Sequence, residues 1–530
     1  LPIVPGLLLA IWLGVLLCGW AKSQEIAGGE QRYQPGRTSR LWGQNGENWS
    51  PQSRLPDFSH AGYRRGEEVY RVPSQRISVT AFGAKGDGLT DDTEAFRKAI
   101  AAGAGKVIEI PAGRYLLSGI LEIRSSGTVL RGAGADKTFL VFTTPGDKLD
   151  PRPAKTDGGQ PTTNWSWWGG LIVLGRSGWA GTDPVPVTAE QRRGDRALRV
   201  EKNPYRVGDE VLLELRDDRN KSLLQYLYRG QPGDISGLKN WRVVQVFRVV
   251  AIDNDRISLD RPLRFDVRLQ WQPKLYRFAP AVTDVGLEGV CFDFPVERYA
   301  GHFREVGWNP VEISANSAHC WLRNLRIRNA DNGPFVAGFF CTVEDIHFEA
   351  VPERLGRDGF AGHHGITLVG HDCLARRFRF DCRFIHDLTV QSAIGCVFAE
   401  GSGLDINFDH HRWAPYENLF TDIDAGRGSR LFASSGGGMR GNHSAAGATF
   451  WGIRTQVPVP FPQHFGISDL NLVGVPIILP PDIASDPSDT MATTRPWVEP
   501  IPWEELQPRN LFEAQRQFRR AGKVAENQKQ

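Results

Sequence analysis

The sequence has almost no excess of charge of either sign: 63 Lys and Arg stand against 60 Asp and Glu, a formal net charge of +3 over 530 residues. A nucleic-acid binder needs a basic surplus to neutralise phosphates, so nucleic acid is not an expected partner. Long apolar runs are also scarce. The one present, residues 7–20 (LLLAIWLGVLLCGW), is shorter than the roughly 20 residues that cross a bilayer, and polar, Gly-rich chain follows it. It reads as the core of a signal peptide over residues 1–21, with small residues at Gly19 and Ala21 for cleavage. The mature chain is therefore expected to be secreted or periplasmic, with no membrane span. Methionine is nearly absent, at 2 residues, and long Ala/Glu/Lys/Leu stretches are few, which leaves little material for extended helices. No CxxC spacing occurs among the 7 cysteines, which argues against a zinc ribbon.

What the chain does contain is 58 Gly, 34 Pro, 16 Trp and many short alternating segments, the composition of β structure. The most informative stretch is residues 362–412, GHHGITLVGHDCLARRFRFDCRFIHDLTVQSAIGCVFAEGSGLDINFDHHR. It reads as five strands, at 366–369, 378–380, 388–390, 396–398 and 404–408, separated by Gly, Asp and His turns. The strands recur in phase: His364 to His386 is 22 residues and His386 to His410 is 24. Periods of this size without helices predict an all-β solenoid, a parallel β-helix whose coils stack. On that reading His364, His386 and the Asp409/His410/His411 group lie above one another, about 4.8 Å per coil. The cysteine gaps of 21 (Cys320 to Cys341) and 23 (Cys373 to Cys396) fit the same period. With Cys291 and Cys382 they read as buried thiols in stacked coils, or as thiols that include one disulfide.

The segments follow in order. Residues 22–75 form a polar extension. Residues 76–146 start the solenoid, with a strand, a turn and a helix through about Ala102; Asp91 and Glu94 there have the spacing of a capping box. Residues 147–278 lose the coil rhythm and read as a small inserted antiparallel β unit, a natural wall for a binding groove. Trp165, Trp167, Trp168 and Trp241 lie in it. The β-helix core resumes over 279–456. A Pro-rich tail, 457–530, carries one amphipathic helix near 508–520.

The segment VTAFGAKGDGLTDDTEAFRKAI, followed by VIEIPAGRYLLSGILEI and VLRGAG, resembles the N-terminal signature of the pectate-lyase-like superfamily of right-handed parallel β-helices. The resemblance implies a right-handed coil with the helix closing its N-terminal end. That superfamily includes polysaccharide lyases, glycoside hydrolases, epimerases and phage tailspikes, so a fold is implied and the reaction is left open. The signature patterns of polygalacturonases and of calcium-dependent pectate lyases are not found.

Cleaving a uronate polysaccharide by β-elimination needs a clamp on the C5 carboxylate, a base for the C5 proton and an acid for the leaving O4. His364, His386, His410, Asp409 and Arg412 are the expected catalytic set. His363, His411, Arg357, Asp387, Trp413 and Tyr416 are expected to bind an acidic polysaccharide. Hydrolysis is the rival chemistry and would draw two carboxyls from Asp387, Asp405, Asp409 and Glu417. A non-catalytic glycan-binding surface protein is the third reading. No cofactor is required by these schemes; the same His and Asp residues include ligands for a transition metal, and neighbouring Asp residues for Ca²⁺. The oligomeric state is left open.

Overall fold

In the computed structural model, which describes residues 37–66, 69–466, 469–481 and 495–527, the inward positions of successive coils stack in register. Leu287, Leu322, Val343, Ala375, Phe398, Phe420, Phe450, Leu472 and Val498 are direct neighbours across parallel strands. All nine are buried, because no single coil can bury its own apolar side chains and each uses its neighbour instead. The architecture is a right-handed parallel β-helix. One long parallel sheet runs from Arg76–Ser78 to Trp497–Glu499, and a seven-stranded sheet from Leu121–Ile123 to Phe408–His410 forms a second side. Isolated parallel bridges through Ala318, Phe339, His371, Ile394 and Tyr416 mark a third. The signal peptide expected over residues 1–21 lies outside the described residues, and no described helix is long and apolar enough to cross a membrane.

Two corners of the coil are set by stacked left-handed residues. Gly289, Asn324, Asp345, Arg377, Glu400, Asp422 and Gly452 follow one another up the long sheet with φ between 50° and 66°. Asp284, His319, Phe340, Asp372, Gly395, Glu417 and Gly447 do the same at another corner, with φ between 51° and 81°. Gly, Asn and Asp adopt this conformation at low cost, whereas a residue such as Phe340 or Arg377 is held in it at about 1–2 kcal/mol by the coils above and below.

The helix Thr93–Ala102 covers the N-terminal end, with Phe96 and Ala99 packed into the same core as Val79, Ile108 and Tyr115. Its cap differs from the expected box. Asp92 holds the cap position without a side-chain cap bond, and its carboxylate accepts the backbone N–H groups of Lys85 and Gly86. Asp91 accepts from Thr93 and Ser118, and Glu94 pairs with Arg97. The acidic run therefore fastens the preceding turn to the helix.

The antiparallel unit is a six-stranded sheet running from Gly181–Pro186 to Lys274–Phe278, so the boundary expected at residue 147 moves to 181. Ile172–Leu174 pairs in parallel with Leu121–Ile123 and Val311–Ile313 and belongs to the coils. Before it, Pro153–Lys155 and Pro161–Thr163 form a short hairpin. The unit is fastened by buried charges. Asp372 accepts from Arg261 and Arg264 at 2.7 Å each, and Glu417 accepts from Arg264 at 3.0 Å and from Arg193. Both acids occupy the second left-handed corner.

The coils also continue beyond residue 456, through Asn471–Val473 and Trp497–Glu499. The tail helix spans Leu511–Asn527. Its Leu511 and Phe512 join Trp42 and Phe58 from the N-terminal segment over Leu419 and Trp451 of the long sheet. Both ends of the described chain thus cover the outer face of that sheet. Cys291, Cys320, Cys341, Cys373, Cys382 and Cys396 are unpaired and buried.

Candidate functional site

The site is built on the seven-stranded sheet where two coils approach closely. A Cβ on Gly365 would fall 2.2 Å from the Asp387 carbonyl oxygen, and one on Gly333 would fall 2.2 Å from the Gly365 carbonyl oxygen. Only glycine permits that spacing. On strand Gly362–Leu368, His364 is the register partner of His386 on Phe384–Val390, and their ring centroids lie 5.0 Å apart. The rings of the consecutive residues His363 and His364 lie 4.1 Å apart, so strict in-and-out alternation is broken at this point. The next strand, Phe408–His410, brings Asp409 beside Thr389.

Asp409 is the anchor of the cluster. It is fully buried. One carboxylate oxygen accepts from the Ser435 backbone N–H at 2.9 Å and the Ser434 hydroxyl at 3.1 Å. The other faces His411 Nδ1 at 2.8 Å, His386 Nδ1 at 3.5 Å and the Thr389 hydroxyl at 3.4 Å. Burial opposes its charge, but His386, His411 and the bond from His411 outweigh burial and hold the carboxyl well below the usual range. Burial pushes His386 down to about 4 despite Asp409, and lowers His363, His364 and His302 as well. Ser435 Oγ sits between His411 Nδ1, at 3.2 Å, and His386 Nε2, at 3.3 Å.

His302, from the irregular chain between strands Gly286–Asp293 and Val311–Ile313, completes the group. Its Nε2 is 2.9 Å from His363 Nε2, and it stacks on Phe303. Behind it Glu305 is buried, accepts from Tyr299 and lies 3.5 Å from His363 Nδ1; burial pushes its carboxyl up to about 7. His302 is exposed at the rim of an open cavity of about 890 Å³ lined by Asp147, Gln160, Thr162, Phe303, Arg304 and Glu305. The tip of the 153–163 hairpin reaches over to the loop between strands Leu419–Asp424 and Thr449–Arg454, where Asp157 pairs with Arg440 at 3.0 Å.

Of the residues expected from sequence, His363, His364, His386, Asp409 and His411 are brought together. Others are not. His410 is the register partner of Val390 and points into the core among the rings of Phe420, Phe450 and Phe465. The coil after His386 is shorter than the assumed 24 residues, since Asp409 pairs with Thr389, a step of 20. Asp387 is buried and accepts from the backbone of Phe384 and Asn407 and from Arg430, a structural turn. Tyr416 is buried under the inserted unit with Phe265. Arg412 is committed to the carbonyls of Gly438 and Gly441 and to His443. Trp413 packs near Trp241 and under Arg440, and Arg357 is exposed on the loop before the His strand. Trp165, offered as a groove residue, is wholly buried.

His302, Glu305, Ser434 and Ser435 carry no sequence signal of their own: His302 and Glu305 fall outside any periodic strand, and the serines read as an ordinary Gly-rich turn. The calcium expectation also meets the wrong donors. Calcium takes about six to eight oxygens, whereas the potential ligands gathered around Asp409 are imidazole nitrogens.

Residues 76–174 match the model of the family described as rhamnogalacturonase A/epimerase, pectate lyase-like. A pre-neck appendage protein of Bacillus phage B103 is 47% identical over 66 residues, 12% of this chain and 7% of that protein. The putative phage-related protein YobO of Bacillus subtilis (strain 168) is 50% identical over 80 residues, 14% and 9% of the two chains. The chain therefore spans less than a tenth of these relatives. Among solved structures, the tailspike protein gp49 from Pseudomonas phage LKA1 is 12% identical, covering 75% of this chain and 67% of its own, with a TM-score of 0.36.

Proposed function

We propose that this pectate-lyase-like right-handed parallel β-helix acts outside the cell on a uronate-containing polysaccharide and cleaves it by β-elimination. The observation that carries the proposal is the Asp409–His411 pair: a buried carboxylate fixed by Ser434 and Ser435, facing Nδ1 of a partly exposed imidazole at 2.8 Å. A carboxylate so placed holds the proton on Nδ1 and leaves Nε2 as the basic atom. In the proposed reaction His411 Nε2 takes the C5 proton, the C4–O4 bond breaks as the C4=C5 bond forms, and the imidazolium, stabilised by Asp409, returns the proton to O4. One residue then serves as base and acid, which contributes about 10²–10⁴-fold to the rate.

Hydrolysis is the second reading, favoured by Glu305, a buried carboxyl raised to about 7 and therefore able to carry a proton near neutral pH. The test is to incubate the purified protein with a panel of polyuronates and follow both ultraviolet absorbance of the conjugated enoate and new reducing ends. Absorbance rising with reducing ends is the expected result. Reducing ends without absorbance would establish hydrolysis, and glycan binding without either would leave a recognition protein.

A further inference from the structure

The grouping of His302, His363 and His386 has a use that proton transfer at His411 does not require. One ring nitrogen from each lies within 4.8 Å of the others. The centroids of His302 and His363 are 4.4 Å apart, those of His363 and His386 5.3 Å, and those of His302 and His386 6.0 Å. Two neutral imidazoles whose Nε2 atoms face each other at 2.9 Å share one proton, and each neutral ring carries one lone pair of the kind a metal ion accepts. Each inner ring is also held from behind in the way ligating histidines are held. His363 Nδ1 donates to the Ser166 carbonyl at 2.7 Å, which leaves Nε2 bare on the side of His302. His386 turns Nδ1 toward Asp409 Oδ2 at 3.5 Å, and that nitrogen is buried with no hydrogen-bond partner of good geometry. A carbonyl and a carboxylate behind the rings are the usual outer partners of metal-bound imidazoles, fixing tautomer and orientation.

From this geometry we infer that His302, His363 and His386 bind one nitrogen-preferring divalent transition ion, of the zinc type, with its fourth position open to the cavity beside His302. Three protein ligands and an open position are the arrangement of reactive rather than purely structural zinc sites. Ligand nitrogens about 2.0–2.1 Å from a tetrahedral ion lie roughly 3.3 Å apart, so His302 and His363 Nε2, now 2.9 Å apart, need to part slightly, and the His386 nitrogen, within 4.8 Å of both, completes the triangle. His302, exposed and on irregular chain, is the ligand free to move. The hard ions Ca²⁺ and Mg²⁺ prefer oxygen and do not suit these donors. Resting on the uronate reading above, the open position takes a carboxylate oxygen of the sugar and supplies the clamp that elimination requires, while Arg412, the arginine next to His411, is committed to the carbonyls of Gly438 and Gly441 and to His443.

The full-length protein is stripped with a chelator and titrated with Zn²⁺ and with Co²⁺, following heat by calorimetry and the visible absorption of cobalt. One ion per chain, a tetrahedral cobalt spectrum and no response to Ca²⁺ are expected. His302→Ala, a surface change that leaves the melting temperature in place, weakens zinc binding by more than about 100-fold, and Asp409→Asn by about 10–100-fold. His411→Ala leaves zinc affinity within about threefold of the parent, because ions held by His386, Asp409 and His411 would instead lose a direct ligand. Absence of stoichiometric binding overturns the inference, as does zinc affinity that depends on His411 and not on His302. Tight binding without an unsaturated product keeps the metal site and removes the lyase reading; the product formed by fully stripped protein keeps the lyase and overturns the metal's role as the carboxylate clamp.

Discussion

Thr389 and Asp409 lie side by side on neighbouring parallel strands, and the hydroxyl of the first donates to the carboxylate of the second at 3.4 Å. This pairing sends Asp409 outward to the imidazoles and His410, its neighbour in sequence, inward to the phenylalanines. Had the pairing slipped by one residue the two would exchange places.

Asp409→Asn keeps the shape of the anchor but removes its charge and its hold on the His411 tautomer. The expected outcome on a cleavable polyuronate is a fall in kcat of about 10²–10⁴-fold with KM nearly unchanged. A loss confined to KM would mean that Asp409 binds substrate and does not orient His411.

Stability should depend on pH through buried imidazoles that take no part in the proposed reaction. Burial lowers His319 and His410 to about 3 and His371 to about 4, against an ordinary value of 6.5. The unfolded chain therefore takes up protons that the folded one refuses. Stability is complete above about pH 6.5 and declines as the pH falls from there toward 4, each group contributing up to about 1.4 kcal/mol per pH unit. Urea midpoints measured from pH 7.5 to 4.5 should fall accordingly, and His410→Leu should make the curve shallower. An identical slope in that variant would show that His410 is not a buried neutral imidazole.

Asp372→Asn leaves Arg261 and Arg264 facing a neutral amide in a buried setting. The expected cost is about 3–5 kcal/mol, because the Arg261 guanidinium loses its carboxylate partner and Arg264 keeps only Glu417. Denaturant unfolding measures it, and limited proteolysis should show the 181–278 unit opening first. A cost near 1 kcal/mol, the value for an exposed pair, would mean that water reaches this latch.

Gly365→Ala puts a methyl group 2.2 Å from the carbonyl oxygen of Asp387 in the adjoining coil. Backbone cannot give way as a side chain can, so about 1–3 kcal/mol of stability should be lost, with reduced activity because His364 and His386 are displaced. Unchanged melting and activity would show that the two coils are less closely fixed than this contact requires.

How far the sequence could be read depended on the range of the interactions involved. The 22-residue step from His364 to His386 was readable because the two strands repeat one local pattern, His364-Gly-Ile-Thr-Leu and His386-Asp-Leu-Thr-Val, and the structure makes these residues register partners. The following step was not, since the strand expected over 404–408 is instead a turn at the end of Val397–Gly403, followed by the short strand Phe408–His410. A coil can shorten without any local sign, because hydrogen bonding to the coil below, and not the chain's own propensity, sets the register. The same holds for the boundary placed at residue 147: Ile172–Leu174 is only three residues long and becomes a strand because Leu121–Ile123 and Val311–Ile313 lie on either side of it.

The sequence by itself determined the repeating apolar positions, the turn residues suited to left-handed corners and the helix that closes the N-terminal end, all of which follow from local periodicity and backbone preference. Only the tertiary structure decided which imidazoles meet. His302 joins His363 across 61 residues of chain, and Asp409 faces His386 while His410 does not. Such meetings are fixed by coil length and loop path, quantities that depend on the whole stack and are written in no single segment.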